Sequence, residues 1–213
     1  MQKQEIIYFD FLGLHLQEPM VILWDGLISI TSLLFFILLQ KKNDTTQTNF
    51  IRFFIWMSIA SFLGLFGHLV FKYFAHFGKY PSWICISITT YYFSVALFEI
   101  NQISLKNWKI VLLIKGLICL VLSLTFTKFS FVALDSVFSY MILGTFLGVK
   151  LMREQKNANL WIGTICILPT LFIFGLKINL NRYFNKDDFS HLFIWLSLFF
   201  YYFCVTKNRT YDV

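Results

Sequence analysis

Seven apolar runs, each close to the length of a membrane span and separated by short polar stretches, run through this chain of 213 residues. They cover about 20–40, 51–71, 82–100, 109–127, 130–150, 159–178 and 189–206. At a rise of about 1.5 Å per residue, roughly 20 helical residues cross about 30 Å of hydrocarbon. Backbone amides inside lipid find no water, so they must bond within their own segment, and a helix does this. The pattern therefore predicts an all-α fold, an integral membrane seven-helix bundle. Residues 1–213 form a single polytopic domain, because the loops are too short to hold a soluble one and no internal repeat is visible.

Charge supports that reading. Only 14% of the residues are charged, against about 25% in soluble domains. The net charge of +7 does not indicate nucleic acid, since the cations lie between the apolar runs and form no dense patch. Cys85, Cys119, Cys166 and Cys204 each fall inside an apolar run and read as small hydrophobes. Residues 1–19 carry Glu5, Asp10 and Glu18 and do not read as a cleavable signal. The stretch Tyr8–Leu16 is apolar, too short to span, and reads as interfacial.

Helix punctuation fits the seven runs. Pro19 and Pro81 stand where the first and third helices begin. Asp187 and Asp188 are N-cap candidates for the seventh. Pro169 lies inside the sixth, where a kink is expected. Gly144 and Gly148 form a small-xxx-small pair that predicts close packing.

Orientation follows from Lys and Arg. One face carries Lys3, Lys72, Lys79, Lys128, Lys177, Arg182 and Lys186. The other carries Lys41, Lys42, Arg52, Lys106, Lys109, Lys150, Arg153, Lys156, Lys207 and Arg209. The excess on the second face places the N-terminus outside or lumenal and the C-terminus in the cytoplasm.

Ionisable groups within the spans are costly in lipid and are the functional candidates. They are Asp25, His68, Glu99, Lys115, Asp135 and His191. Glu99 reads as a solvated helix end, and Lys115 as a side chain that snorkels or pairs with a neighbouring helix. Asp25 lies about one and a half turns into the first helix, and Asp135 equally far into the fifth. His68 ends the second helix and His191 begins the seventh. The alternating topology brings these four to one layer near one face. Asp25, Ser29 and Ser32 share one side of the first helix. Ser58, Ser61, Gly64 and His68 share one side of the second, and both stripes are expected to face inward.

Two imidazoles and one or two carboxylates at one depth form a candidate zinc site of His68, His191, Asp25 and Asp135. Zinc lowers the pKa of bound water towards neutrality and makes it a nucleophile. The plainer alternative is a polar inter-helix network at the membrane interface. Trp195, one turn after His191, reads as packing.

Glu18-Pro19 before Asp25, then Gly64-Leu-Phe-Gly67-His68, then Asp188-Phe-Ser-His191-Leu192 resembles the CREST superfamily, and within it a bacterial branch. That superfamily includes alkaline ceramidases, adiponectin and progestin receptors and hemolysin III–like proteins. The resemblance implies a membrane-embedded zinc hydrolase of lipid amides or esters, with His68 and His191 as zinc ligands. Asp25 would be the carboxylate, and Ser61 the nearest counterpart of the family's serine. The chain departs from the pattern at Trp195, which stands where a second histidine of the seventh helix is usual. The serine's usual place, one turn before His68, is Gly64, and the third helix has no matching aspartate. Two main readings result: a zinc-dependent lipid hydrolase, or a non-catalytic receptor-like or structural protein of the bilayer. A small transporter ranks last, because there are no paired broken helices in matching halves.

Overall fold

Pro19 occupies the first turn of α1 (Pro19–Gln40), where its missing N–H costs nothing. The chain enters this helix from a two-stranded antiparallel hairpin, β1 (Tyr8–Phe11) and β2 (Leu14–Gln17), in register Tyr8↔Gln17 to Phe11↔Leu14. Leu12 and Gly13 both have positive φ, the condition for the tight turn whose twist suits a hairpin. The segment expected to be interfacial forms this hairpin. Its amphipathic alternation ends in a turn, and it is pinned where the His15 N–H donates to Tyr73 Oη at 2.9 Å.

The computed structural model describes residues 7–41, 48–176, 178–179 and 185–208. Glu5 and the orientation-setting cations Lys3, Lys42, Lys177, Arg182 and Arg209 lie outside the described residues.

After α1 come α2 (Thr48–Leu69), the single turn α3 (Phe71–Phe74), a 3₁₀ segment (Ala75–Lys79) and α4 (Tyr80–Ile100). Then follow α5 (Trp108–Phe126), α6 (Ser130–Ser136), a π-helical segment (Val137–Leu143) and α7 (Gly144–Gln155), and finally α8 (Asn159–Leu176) and α9 (Lys186–Asn208). Seven helical stretches are long and apolar enough to cross a membrane: Ile22–Gln40, Thr48–Leu69, Phe71–Ile100, Trp108–Phe126, Ser130–Gln155, Asn159–Leu176 and Lys186–Lys207. The protein is an all-α integral membrane seven-helix bundle, and its fourth and fifth spans turn within three residues at Thr127–Phe129, with Thr127 left-handed.

The core is aromatic. Phe93 of α4 lies 4.7 Å from the Tyr140 ring and 4.8 Å from the Tyr201 ring, and Phe53 and Phe54 of α2 complete the centre. Gly144 and Gly148 do mark a close contact. A Cβ at Gly144 would sit 2.6 Å from Thr164 Oγ1, and one at Gly148 would sit 3.0 Å from the Trp161 backbone, so α7 and α8 meet nearly backbone to backbone. Pro169 lies inside α8. Cys85 and Cys204 are buried, Cys119 and Cys166 half-buried, and all four are free thiols. Glu99 is not simply solvated: it accepts a hydrogen bond from Asn49 Nδ2 at 2.5 Å and ties α4 to α2.

The polar stripes face inward as expected. Asp25, Ser29 and Ser32 are buried on α1, and Ser58, Ser61 and Gly64 on α2. Ser29 Oγ donates to the Ser58 carbonyl at 3.0 Å, so the two stripes face each other.

Candidate functional site

The site begins at the N-terminus of α9. Its cap is Asn185 rather than Asp187 or Asp188. Asn185 Oδ1 accepts the amides of Asp187 at 2.7 Å and Asp188 at 3.2 Å, and Asp188 Oδ2 accepts the Asn185 amide at 3.0 Å. This reciprocal box satisfies donors that a helix start leaves open. It places Asp187 and Asp188 in the first turn and fixes where His191 emerges.

His191 Nδ1 donates to the Asp187 carbonyl at 2.5 Å, which turns Nε2 towards α1, where Asp25 Oδ1 lies 3.2 Å away. Asp25 reaches the same spot because Gly64 opposite has no side chain. A Cβ there would lie 3.2 Å from both Asp25 Oδ2 and Ser82 Oγ.

A second pair sits beside the first. Glu18 caps α1 with φ 56° and ψ 62°, a left-handed conformation that a non-glycine residue adopts at a cost. Two contacts hold it: its N–H donates to the Ile7 carbonyl at 2.9 Å, and its Oε2 meets His68 Nδ1 at 2.5 Å. Lys79 Nζ lies 3.1 and 3.4 Å from the two His68 ring nitrogens. Burial by itself raises the Glu18 carboxyl. The hydrogen bond from His68 and the charges of His68, Lys79 and Lys186 outweigh it, so the group ionises below the ordinary range. Lys79 lies within electrostatic reach of Glu18, Asp187 and Asp25, and Asp188 within reach of His191 and Glu18. The Glu18–His68 and Asp25–His191 pairs therefore belong to one charged cluster at the N-terminal face, the face where α1 begins.

Asp135 belongs elsewhere. Its Oδ1 lies 2.6 Å from Lys115 Nζ, and its Oδ2 accepts the Thr90 hydroxyl at 2.5 Å. Lys115 also donates to Ser139 at 2.9 Å, inside the π-helical segment. The pair joins α5 to α4 and α6, and Lys115 pairs inward instead of reaching for the membrane surface. Ser61 is buried on the inward stripe of α2 and, among the described residues, bonds to neither histidine nor Asp25.

The four residues expected to share a zinc ion thus divide. Asp25 meets His191, His68 meets Glu18, and Asp135 meets Lys115. His191 is oriented as a ligating imidazole would be, with its far nitrogen bonded to a carbonyl. His68 is not, because an ammonium lies against its ring. Among the described residues, no three His, Cys, Asp or Glu side chains are arranged to hold a metal ion. As a set, the described residues are not arranged as shared ligands of one ion. The four do not share one contact group, because Asp135 faces Lys115 and Thr90 instead of the histidines.

Sequence reasoning missed Lys79 as a member of the cluster and Thr90 as a partner of Asp135. Lys79 was visible only as a loop cation. Its role depends on the 3₁₀ segment folding back over α2, which Gly67 allows: a Cβ there would lie 2.6 Å from the Gly78 carbonyl oxygen.

Trp195 Nε1 donates to Thr31 Oγ1 at 2.9 Å, and its ring packs edge-on to Phe199, so packing is its role. No curated protein and no solved structure matches this chain. One sequence family does match, over residues 20–210, which takes in all seven helical stretches and every member of the charged cluster except Glu18. The chain belongs to that family, DUF6962, a family of unknown function.

Proposed function

We propose that this protein acts in the bilayer without catalysis, as a receptor-like or structural membrane protein whose charged groups tie its helices together. One observation carries the reading. Each described residue that was a candidate metal ligand is already paired with a side chain from another segment: His68 with Glu18, His191 with Asp25, Asp135 with Lys115. Intramembrane charges left alone are costly, and pairing them is how a bundle keeps them. Kinship with the CREST superfamily is part of this reading at the level of fold. It is supported by the acid early in the first span, the histidine ending the second and the histidine beginning the seventh. The N-terminal face is placed outside or in the lumen, on the balance of Lys and Arg.

The competing reading, a zinc hydrolase of lipid amides or esters, has one observation in its favour: the orientation of His191 towards Asp25. It lacks a third ligand among the described residues. Metal analysis of the purified protein, together with a lipid-hydrolysis assay with and without added zinc, separates the two. We expect substoichiometric zinc, no lipid turnover, and a His191→Ala variant with lowered thermal stability. Stoichiometric zinc that disappears in His68→Ala, or metal-dependent release of fatty acid, overturns the reading.

A further inference from the structure

The charged cluster contains two complementary vacancies. Of its four carboxylates, Glu18, Asp25 and Asp187 each meet a cationic or imidazole side chain. Among the described residues Asp188 forms no such pair, although His191 lies within electrostatic reach of it. Asp188 is 1% exposed, one oxygen serves the α9 cap, and the other, Oδ1, has no hydrogen-bond partner among the described residues. A buried carboxylate oxygen without a donor is costly, and a donor supplied by a ligand would relieve that cost. The opposite vacancy is at Lys79. Its Nζ rests against the His68 ring and 4.9 Å from the centre of the Phe71 ring. It makes no ion pair with a carboxylate among the described residues. Glu18 is within electrostatic reach of both Asp188 and Lys79, which sets the two vacancies in one locality.

The surroundings are apolar and uncovered. Phe74 and Phe77, just before Lys79, are exposed, Phe77 by 74%. The hairpin bonded to Tyr73 of α3 exposes Phe11 and, by 87%, Leu12. Such side chains beside the first turn of a membrane span suit acyl chains at the lipid boundary.

We propose that the cluster binds the headgroup of an aminophospholipid. The primary ammonium donates to Asp188 Oδ1, the phosphate meets Lys79, and the acyl chains lie along Phe74 and Phe77. An ammonium fits better than a metal ion, because each of its N–H donors needs only one acceptor and it imposes no fixed coordination sphere. This ligand rests on the non-catalytic reading above and gives it a binding partner.

The test uses the full chain in nanodiscs of phosphatidylcholine doped with phosphatidylethanolamine or with phosphatidylglycerol, read by thermal unfolding and by lipid retention in native mass spectrometry. Phosphatidylethanolamine should raise Tm and be retained. Phosphatidylcholine, whose trimethylated nitrogen has no N–H, and phosphatidylglycerol, which has no amine, should do neither. Asp188→Asn should weaken retention about tenfold or more, equivalent to about 1.4 kcal/mol. Since Asp188 also caps α9, Lys79→Gln provides a second variant, which should lose phosphatidylethanolamine to a similar degree. Equal retention of the three lipids, retention untouched by both variants, or equally tight binding of soluble phosphoethanolamine overturns the proposal. Release of fatty acid from the retained lipid would instead overturn the non-catalytic reading and leave the binding site standing.

Discussion

Lys115 and Asp135 face each other across the fourth and fifth spans, with Nζ 2.6 Å from Oδ1, in a bundle where α5 buries only Leu112, Gly116 and Ser123. With so few buried contacts, α5 depends on this polar tie. Removing one partner leaves the other charge uncompensated in a medium that cannot solvate it. Lys115→Ala or Asp135→Ala should each cost about 3–5 kcal/mol, while the double apolar variant Lys115→Met with Asp135→Leu should recover most of that loss. Thermal unfolding in detergent measures all three. Additive losses in the double variant would show that the two side chains do not stabilise each other.

The Gly67 contact leads to a sharper contrast. A Cβ at Gly67 meets backbone, 2.6 Å from the Gly78 oxygen, whereas one at Gly26 meets only Leu65 Cδ1 at an ordinary 3.9 Å. Gly67→Ala should therefore push the 3₁₀ segment off α2, separate Lys79 from His68, and cost about 1–3 kcal/mol. Gly26→Ala should be neutral or stabilising by up to about 1 kcal/mol, since alanine favours the helix. Equal Tm values for the two variants would mean the 3₁₀ segment does not pack as described.

These two cases also show what the sequence could reveal. Span number, helix type and the inward stripes were legible because lipid imposes a length and a polarity that leave few alternatives. That Asp25 and His191 come close followed from counting residues along alternating helices. Lateral position did not follow: nothing in the spacing of Asp135 says whether it faces α1 or Lys115. The left-handed Glu18, the hairpin before it and the π-helical segment around Ser139 depend on tertiary contacts that no periodicity encodes. Asn185 as the cap was hidden by the more acidic Asp187 and Asp188 beside it.

Glu18 should give the protein an acid limit. Its carboxyl ionises below the usual 4.5 because His68, Lys79 and Lys186 outweigh burial. A lowered pKa in the folded state means the fold favours the charged form. That contribution is therefore complete above the unfolded value and is lost as pH falls through the folded one. The stability difference between the wild type and Glu18→Gln should be constant above about pH 5.5, a unit above that ordinary value, and shrink below it. Chemical unfolding across pH 3–7 checks this. A difference that grew on acidification would reverse the sign and remove the Glu18–His68 pair as its cause.

The cap of α9 links helix ending to site geometry, and it can be probed without touching any charge. Asn185 Oδ1 holds the amides of Asp187 and Asp188, and the Asp187 carbonyl in turn receives His191 Nδ1. Asn185→Ala should cost about 1 kcal/mol as a lost cap. Because the first turn then frays, His191 should also lose its fixed orientation towards Asp25. Asn185→Ser restores an uncharged acceptor at the same place and should return most of the stability. The discriminating measurement is the pH titration of His191 by NMR. It should shift in Asn185→Ala and stay near the wild-type position in Asn185→Ser. An unchanged titration in both would show that the cap stabilises the helix end without positioning the histidine, leaving Asp25 alone to hold it.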